Sequence, residues 1–150
     1  MRYGISAGAI ILQNNTLLMV HHQFSPESDF WVPPGGGLQG QESIFECACR
    51  ETYEETSLTV QPDRIIYIQE FVEPDYHFCK FWILCSSFTG TLSLDHLEPN
   101  ETFLTEARFL SQNEIANRVA YPDILKNQFW DDLKAGFPQT RYLGLQHIAP

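Results

Sequence analysis

Cationic side chains are scarce in this sequence. Nine Lys and Arg stand against 19 Asp and Glu, a formal charge of -10 over 150 residues. A surface of that sign repels nucleic acid polymers, whose affinity for proteins comes mainly from Lys and Arg on phosphates. A small anionic substrate is still compatible with it, provided cations or local basic residues offset the field. Long apolar runs are also missing. The opening MRYGISAGAIILQNN is too short to span a bilayer and carries no signal-peptide cleavage pattern, so it is read as mature sequence. Cysteine is sparse: Cys47, Cys49, Cys79 and Cys85 form no C-x-x-C pair, and their spacing does not suggest a zinc site. Without a signal peptide, four thiols in an acidic chain point to a reducing cytoplasm and to buried cysteines acting as small apolar residues. No repeat, low-complexity tract or dividing linker is present.

What is there is globular. An apolar content of 43% and an aromatic content of 13% suit a single domain over residues 1–150 with a real core. SAGAIIL and TLLMVHH read as strands joined at Asn14-Asn15, a hairpin signal. SPESD is a polar loop. FWVPPGGGLQGQE begins as a strand and breaks at Pro33, Pro34 and the glycines. SIFECACRETYEET has the length and composition of a helix. RIIYIQEFV and HFCKFWILCSSF read as aromatic and β-branched strands around the turn EPDY. Residues 89–103 form a loop, EARFL a short strand, and SQNE a capping box that opens a helix. YPDILKNQFWDDLKAG predicts one last helix, ended by Gly136. The order gives an α/β fold, a mixed sheet covered by helices.

The helix RETYEET raises a physical question. With about 100° per residue, Glu51, Glu54 and Glu55 fall within an arc of roughly 100°. Ile44, Cys47 and Ala48 lie in the same arc one to two turns earlier. The carboxylates therefore end a packed face, where repulsion between two of them about 4 Å apart reaches about 4 kcal/mol at an effective dielectric near ~20. Protonation or a divalent cation relieves it, and clustered carboxylate oxygens suit Mg²⁺ or Mn²⁺. The preceding PPGGG offers backbone that can approach an anion closely. A diphosphate bridged by metal fits both signals together.

Gly36, Glu42, Arg50, Glu51, Glu54 and Glu55 fall in the pattern G-x5-E-x7-R-E-U-x-E-E-x-G-U, where U is bulky and apolar. With Leu58 in the last position, residues 36–58 resemble the Nudix box of the Nudix hydrolases, and WVPPGGG is similar to the lead-in common in that family. Ser57 stands where the pattern has glycine, Thr52 where it has an apolar residue, and Gln41 where a glycine usually precedes Glu42. The resemblance implies an α/β/α sandwich around a mixed sheet and a nucleoside diphosphate joined to another group as substrate. It implies Mg²⁺ or Mn²⁺ held by Glu51, Glu54 and Glu55 with the Gly36 backbone. Arg50 and Glu42 are implied as an orienting network, and Gly35 and Gly36 as the backbone that meets metal and phosphate.

The chemistry agrees. Attack on a diphosphate must overcome repulsion between anion and nucleophile, which metals and positioning relieve. A base must take the water proton; Glu54 and Glu55 within the box are candidates, as are Glu98, Glu101 and Glu106 beyond it, Glu101 being favoured. Phe24, Phe30, Trp31, Tyr76 and Phe78 are candidates to stack on a base. Family marks conflict: Pro74 matches a position associated with ADP-ribose hydrolases, Tyr76 one associated with dinucleoside polyphosphate hydrolases. Sugar nucleotides and nucleoside triphosphates, oxidised ones included, both remain open. The alternative is a silent nucleotide sensor of the same fold. The sequence does not settle whether the chain forms a homodimer.

Overall fold

The computed structural model describes residues 1–148. The chain runs through β1 (Arg2–Ile10), β2 (Leu12–Gln13), β3 (Thr16–Ser25), β4 (Ser28–Val32) and β5 (Gly35–Gly37) to helix α1 (Ile44–Thr56). It continues through β6 (Thr59–Glu73), β7 (Tyr76–Thr89), β8 (Leu104–Leu110), α2 (Gln112–Ala116), a 3-10 turn (Asp123–Lys126), α3 (Gln128–Lys134) and β9 (Arg141–His147). The sheet is mixed, as expected. Its five strands lie in the order β5-β1-β7-β6-β9, with β1 parallel to β7 and β6 parallel to β9. A second, antiparallel sheet joins β2, β3 and β4, with β8 paired to β3.

Strand alternation divides the interior between two cores. Successive residues point to opposite faces of a strand. On β1, Ala7 and Ala9 enter one cluster and Ile10 the other; on β3, Leu18 separates from Leu17 and Met19; on β7, Ile83 separates from Trp82. The first cluster packs under α1 through Cys47 and Ala48. The other is closed by Ile115 of α2, Leu125 and the α3 residues Phe129 and Trp130. Helices thus cover both faces of the mixed sheet.

Several local expectations match. Asn14 and Asn15 both have positive φ, 50° and 61°, as a two-residue hairpin turn requires. Both capping boxes form, Ser43 with Glu46 and Ser111 with Glu114. Three expectations change. The triple glycine is not a loose loop but strand β5, antiparallel to β1 with Gly36 opposite Ala7. The single C-terminal helix is two pieces, because Asn127 (φ -147°, ψ -89°) breaks the helical path and caps α3 through its side chain. Residues 141–147 add a parallel edge strand that weak alternation around Gly144 concealed.

Candidate active site

The acidic arc of α1 faces inward. Ser43 fixes where the helix starts, and from there Cys47, Ala48, Glu51, Thr52, Glu55 and Thr56 all point into the molecule. Glu51 is 7% exposed and Glu55 3%. Thr52 occupies its apolar position by donating its hydroxyl to the Ala48 carbonyl at 2.7 Å. Strand β5 runs against this face. A Cβ at Gly36 would lie 2.5 Å from a Glu51 carboxylate oxygen, so glycine here makes room for that side chain. The Gly35 amide donates to Glu55 Oε1 at 3.2 Å. The Gly36 carbonyl accepts from the Ser6 hydroxyl at 2.8 Å and from the Cys47 thiol at 3.5 Å. These glycine groups are therefore engaged within the protein.

Arg50 ties the network together. Its Nε and Nη2 fork onto Glu42 at 3.0 and 2.7 Å, Nη1 donates to Glu51 at 3.0 Å, and Nη2 reaches the Gly37 carbonyl at 3.1 Å. Both oxygens of Glu54 lie 3.3 Å from Nη1. The fork holds the Glu42 carboxyl at a pKa of about 2, because bidentate charge-assisted bonds favour the ionised form.

The closest carboxylates are not three neighbours in sequence. Oxygens of Glu51, Glu55 and Glu101 all lie within 4.8 Å of one another. Glu101 arrives from the loop before β8, where it accepts from the Glu98 amide at 3.1 Å while its own amide donates to the Glu98 carbonyl at 2.9 Å. Glu54 stands beside this trio, turned to Arg50. Burial pushes the Glu51, Glu55 and Glu101 carboxyls above the ordinary range, Glu55 well above it, and the neighbouring negative charges add to each shift. Lys80 is a further charged group that the sequence reading missed. It is the lone cation in HFCKFWIL; its Nζ sits 4.4 Å above the Trp82 ring. Burial lowers its pKa, opposed by the charges of Glu55 and Glu51.

This donor set fits a hard divalent cation. Each pair of ionised carboxylates at such separations repels by about 3 kcal/mol at an effective dielectric near ~20. An oxygen-preferring cation removes that cost, and the raised carboxyl pKa values register it.

The aromatic candidates separate. Phe30 lines a cavity of about 470 Å³ between β4 and the β6–β7–β9 part of the mixed sheet, as does Phe78. Trp31 does not reach it: its indole stacks on His21 at 4.4 Å and lies in the core at 6% exposure. Tyr76 sits over Gly4 and stacks on Phe78 at 5.2 Å, outside the cavity lining. Phe24 packs on Phe103 at 4.2 Å. His22 stacks on Phe30, and burial lowers its pKa to about 4. Among the described residues no helix is long and apolar enough to cross a membrane.

Comparisons with known proteins point one way. The family model of the NUDIX domain matches residues 2–128. Phosphatase NudJ of Escherichia coli K12 is 27% identical over 71 residues, 47% of this chain and 46% of NudJ; the chain thus spans about half the length of the curated relatives it matches. The solution structure of the E. coli ORF135 protein superposes with a TM-score of 0.72 at 18% identity, covering 92% of this chain and 95% of that one. The crystal structure of a MutT protein from Methanosarcina mazei Go1 gives 0.69 at 20% identity, covering 92% and 97%. These last two likenesses concern the fold.

Proposed function

This chain belongs to the Nudix hydrolase family, and we propose that it cleaves the diphosphate linkage of a nucleoside diphosphate joined to another group. Nucleoside triphosphates and nucleotide sugars are the candidate substrates. One observation carries the reading: three buried carboxylates converge from α1 and the Glu101 loop, beside a glycine strand that lets them approach. Glu51 and Glu55, with Glu54 next to them, are the residues that would hold Mg²⁺ or Mn²⁺. When bound, such a cation neutralises phosphate oxygens and acidifies a coordinated water.

The chain's own residues do the remainder. Arg50 fixes the rotamers of Glu51 and Glu54 and is itself fixed by Glu42. The Gly35 amide orients Glu55. Glu101 comes from a loop rather than from the helix, and burial raises its pKa; this supports it as acceptor of the water proton. The cavity between the sheets would take the rest of the substrate. Four free thiols support a reducing, cytoplasmic setting.

The test is a nucleotide panel with Mg²⁺ and with Mn²⁺, following phosphate products. Glu55→Gln and Glu54→Gln should each lower kcat by about 10²–10⁴-fold. Glu101→Gln should lower kcat over the same range while leaving cation binding in calorimetry. Tight nucleotide binding without turnover by the unaltered protein would instead establish a sensor.

A further inference from the structure

The cavity next to the carboxylates has a chemical signature of its own. Phe30 closes one side from β4, and Phe71 and Phe78, stacked at 5.0 Å, form part of the other. Flat apolar walls of this kind favour a flat ring. Gln69 and Trp82 also line it. They are 7% and 1% exposed, and among the described residues Gln69 Oε1 and Trp82 Nε1 are the buried side-chain polar atoms without a hydrogen-bond partner. Native proteins pair such atoms almost without exception, so two orphans lining one cavity require an explanation. One is an acceptor and the other can only donate.

The cavity is also continuous with the reactive side of the molecule. Gly8 of β1 is what permits this. A Cβ there would lie 2.4 Å from the Trp82 ring and 3.2 Å from Lys80 Cε. Glycine lets both side chains lie across β1, toward the strand that carries Gly35 and Gly36. Lys80 thereby lines the cavity while its ammonium feels the charges of Glu55 and Glu51.

We infer that the cavity seats a planar nitrogen heterocycle by an edge bearing one donor and one acceptor, and that Gln69 and Trp82 are the residues that read this edge. The ring's N–H meets Gln69 Oε1, and its carbonyl or ring nitrogen accepts from Trp82 Nε1. Rotation of the Gln69 side chain exposes both atoms as the ring enters. Lys80 lies between ring and carboxylates, where the substrate's first phosphate would pass. The lactam or amidine edge of a nucleobase has this pattern; a sugar or an isoprenoid chain lacks it. The inference deepens the diphosphate-hydrolase reading and rests on it for the position of the phosphates.

The first test uses the unaltered protein without metal. The Trp82 indole N–H resonance, assigned through space, is followed while the four common nucleoside 5′-monophosphates are added, with ribose 5-phosphate as the control that has no base. At least one nucleotide should move the resonance downfield, and ribose 5-phosphate should not. The second test compares kcat/KM for base-bearing diphosphates and ribose 5-diphosphate. In Gln69→Leu and Trp82→Phe that ratio should fall about tenfold, the value of one neutral hydrogen bond. An indole resonance unmoved by every nucleotide while α1 amides respond would overturn the assignment, as would an unchanged ratio in both variants. Absence of turnover on any diphosphate would refute the hydrolase reading instead, and the titration would then judge ring binding alone.

Discussion

Ser57 holds a left-handed backbone, φ 67° and ψ 8°, at the C-terminal end of α1. This conformation costs a non-glycine residue roughly 1–2 kcal/mol, which is why the box pattern has glycine there. The serine hydroxyl offsets part of that cost. Its oxygen lies 2.7 Å from Ser93 Oγ, 3.1 Å from the Ser93 carbonyl and 2.9 Å from His96 Nδ1, all in the loop that leads to Glu101. Ser57→Ala should keep the strain and lose these bonds, destabilising by about 1–2 kcal/mol. Ser57→Gly should lose the bonds and the strain together, staying within about 1 kcal/mol of the parent. Urea midpoints of the three proteins test the order, and an alanine variant as stable as the glycine variant would refute it. At this scale the sequence was legible wherever a residue's role follows from near neighbours. Arg50 with Glu42, Glu51 and Glu54 could be read from spacing along one helix. The approach of Glu101 to Glu51 and Glu55 could not, because it depends on how a distant loop folds back.

Elements were legible where they punctuate themselves. Helix α1 has its capping box and an apolar arc, and β6–β7 has its turn at Pro74 and Asp75. The C-terminal region was harder to read, since Asn127 resembles an ordinary polar helix residue until its backbone is seen to break the run. What holds α3 in place is a buried acid. Asp132, 4% exposed, accepts from Tyr67 at 2.7 Å, from Arg141 twice at 2.9 Å and from Gln128 at 3.0 Å. This joins α3 to β6 and to the edge strand β9. Burial works to raise the Asp132 pKa, but Arg141, Tyr67 and Gln128 together hold it below the ordinary 3.8. A depressed folded value contributes stability above the unfolded pKa and loses it as pH falls through the folded one. Asp132→Ala should therefore cost about 3–5 kcal/mol at neutral pH, with the deficit shrinking below pH 3.8. A deficit independent of pH would show that packing, and not the ion pair, anchors the helix.

At the scale of the whole molecule, the carboxylate site is where separate elements meet. Glu51 and Glu55 belong to α1, Gly35 to β5, and Glu101 to the loop entering β8 of the second sheet. The mixed sheet and its helices were readable from the order of patterns. The second sheet was not, because β3 chooses β4 and β8 as partners over a long stretch of chain. A cation joining Glu51, Glu55 and Glu101 would cross-link these elements, so its binding should stabilise the entire fold. At a hundredfold excess over Kd the gain is about 2.7 kcal/mol, or roughly 5–10 °C in Tm for a chain of this length. Without metal the sign reverses. The folded pKa values of Glu51, Glu55 and Glu101 are raised, so their contribution is favourable below the ordinary 4.5 and is lost as pH rises through the folded values. Glu55→Gln keeps an oxygen for the Gly35 amide and removes a buried charge. At pH 7.5 and without metal it should melt above the parent, by about 1–3 kcal/mol of stability; near pH 4 the two should converge. With Mg²⁺ or Mn²⁺ the order should invert, because the parent gains the cross-link and the variant loses one of its ligands. Differential scanning calorimetry of both proteins at the two pH values, with and without metal, decides it. Parent and variant rising equally with metal would mean that the cation sits elsewhere, and a parent that does not respond would mean that this cluster is not its site.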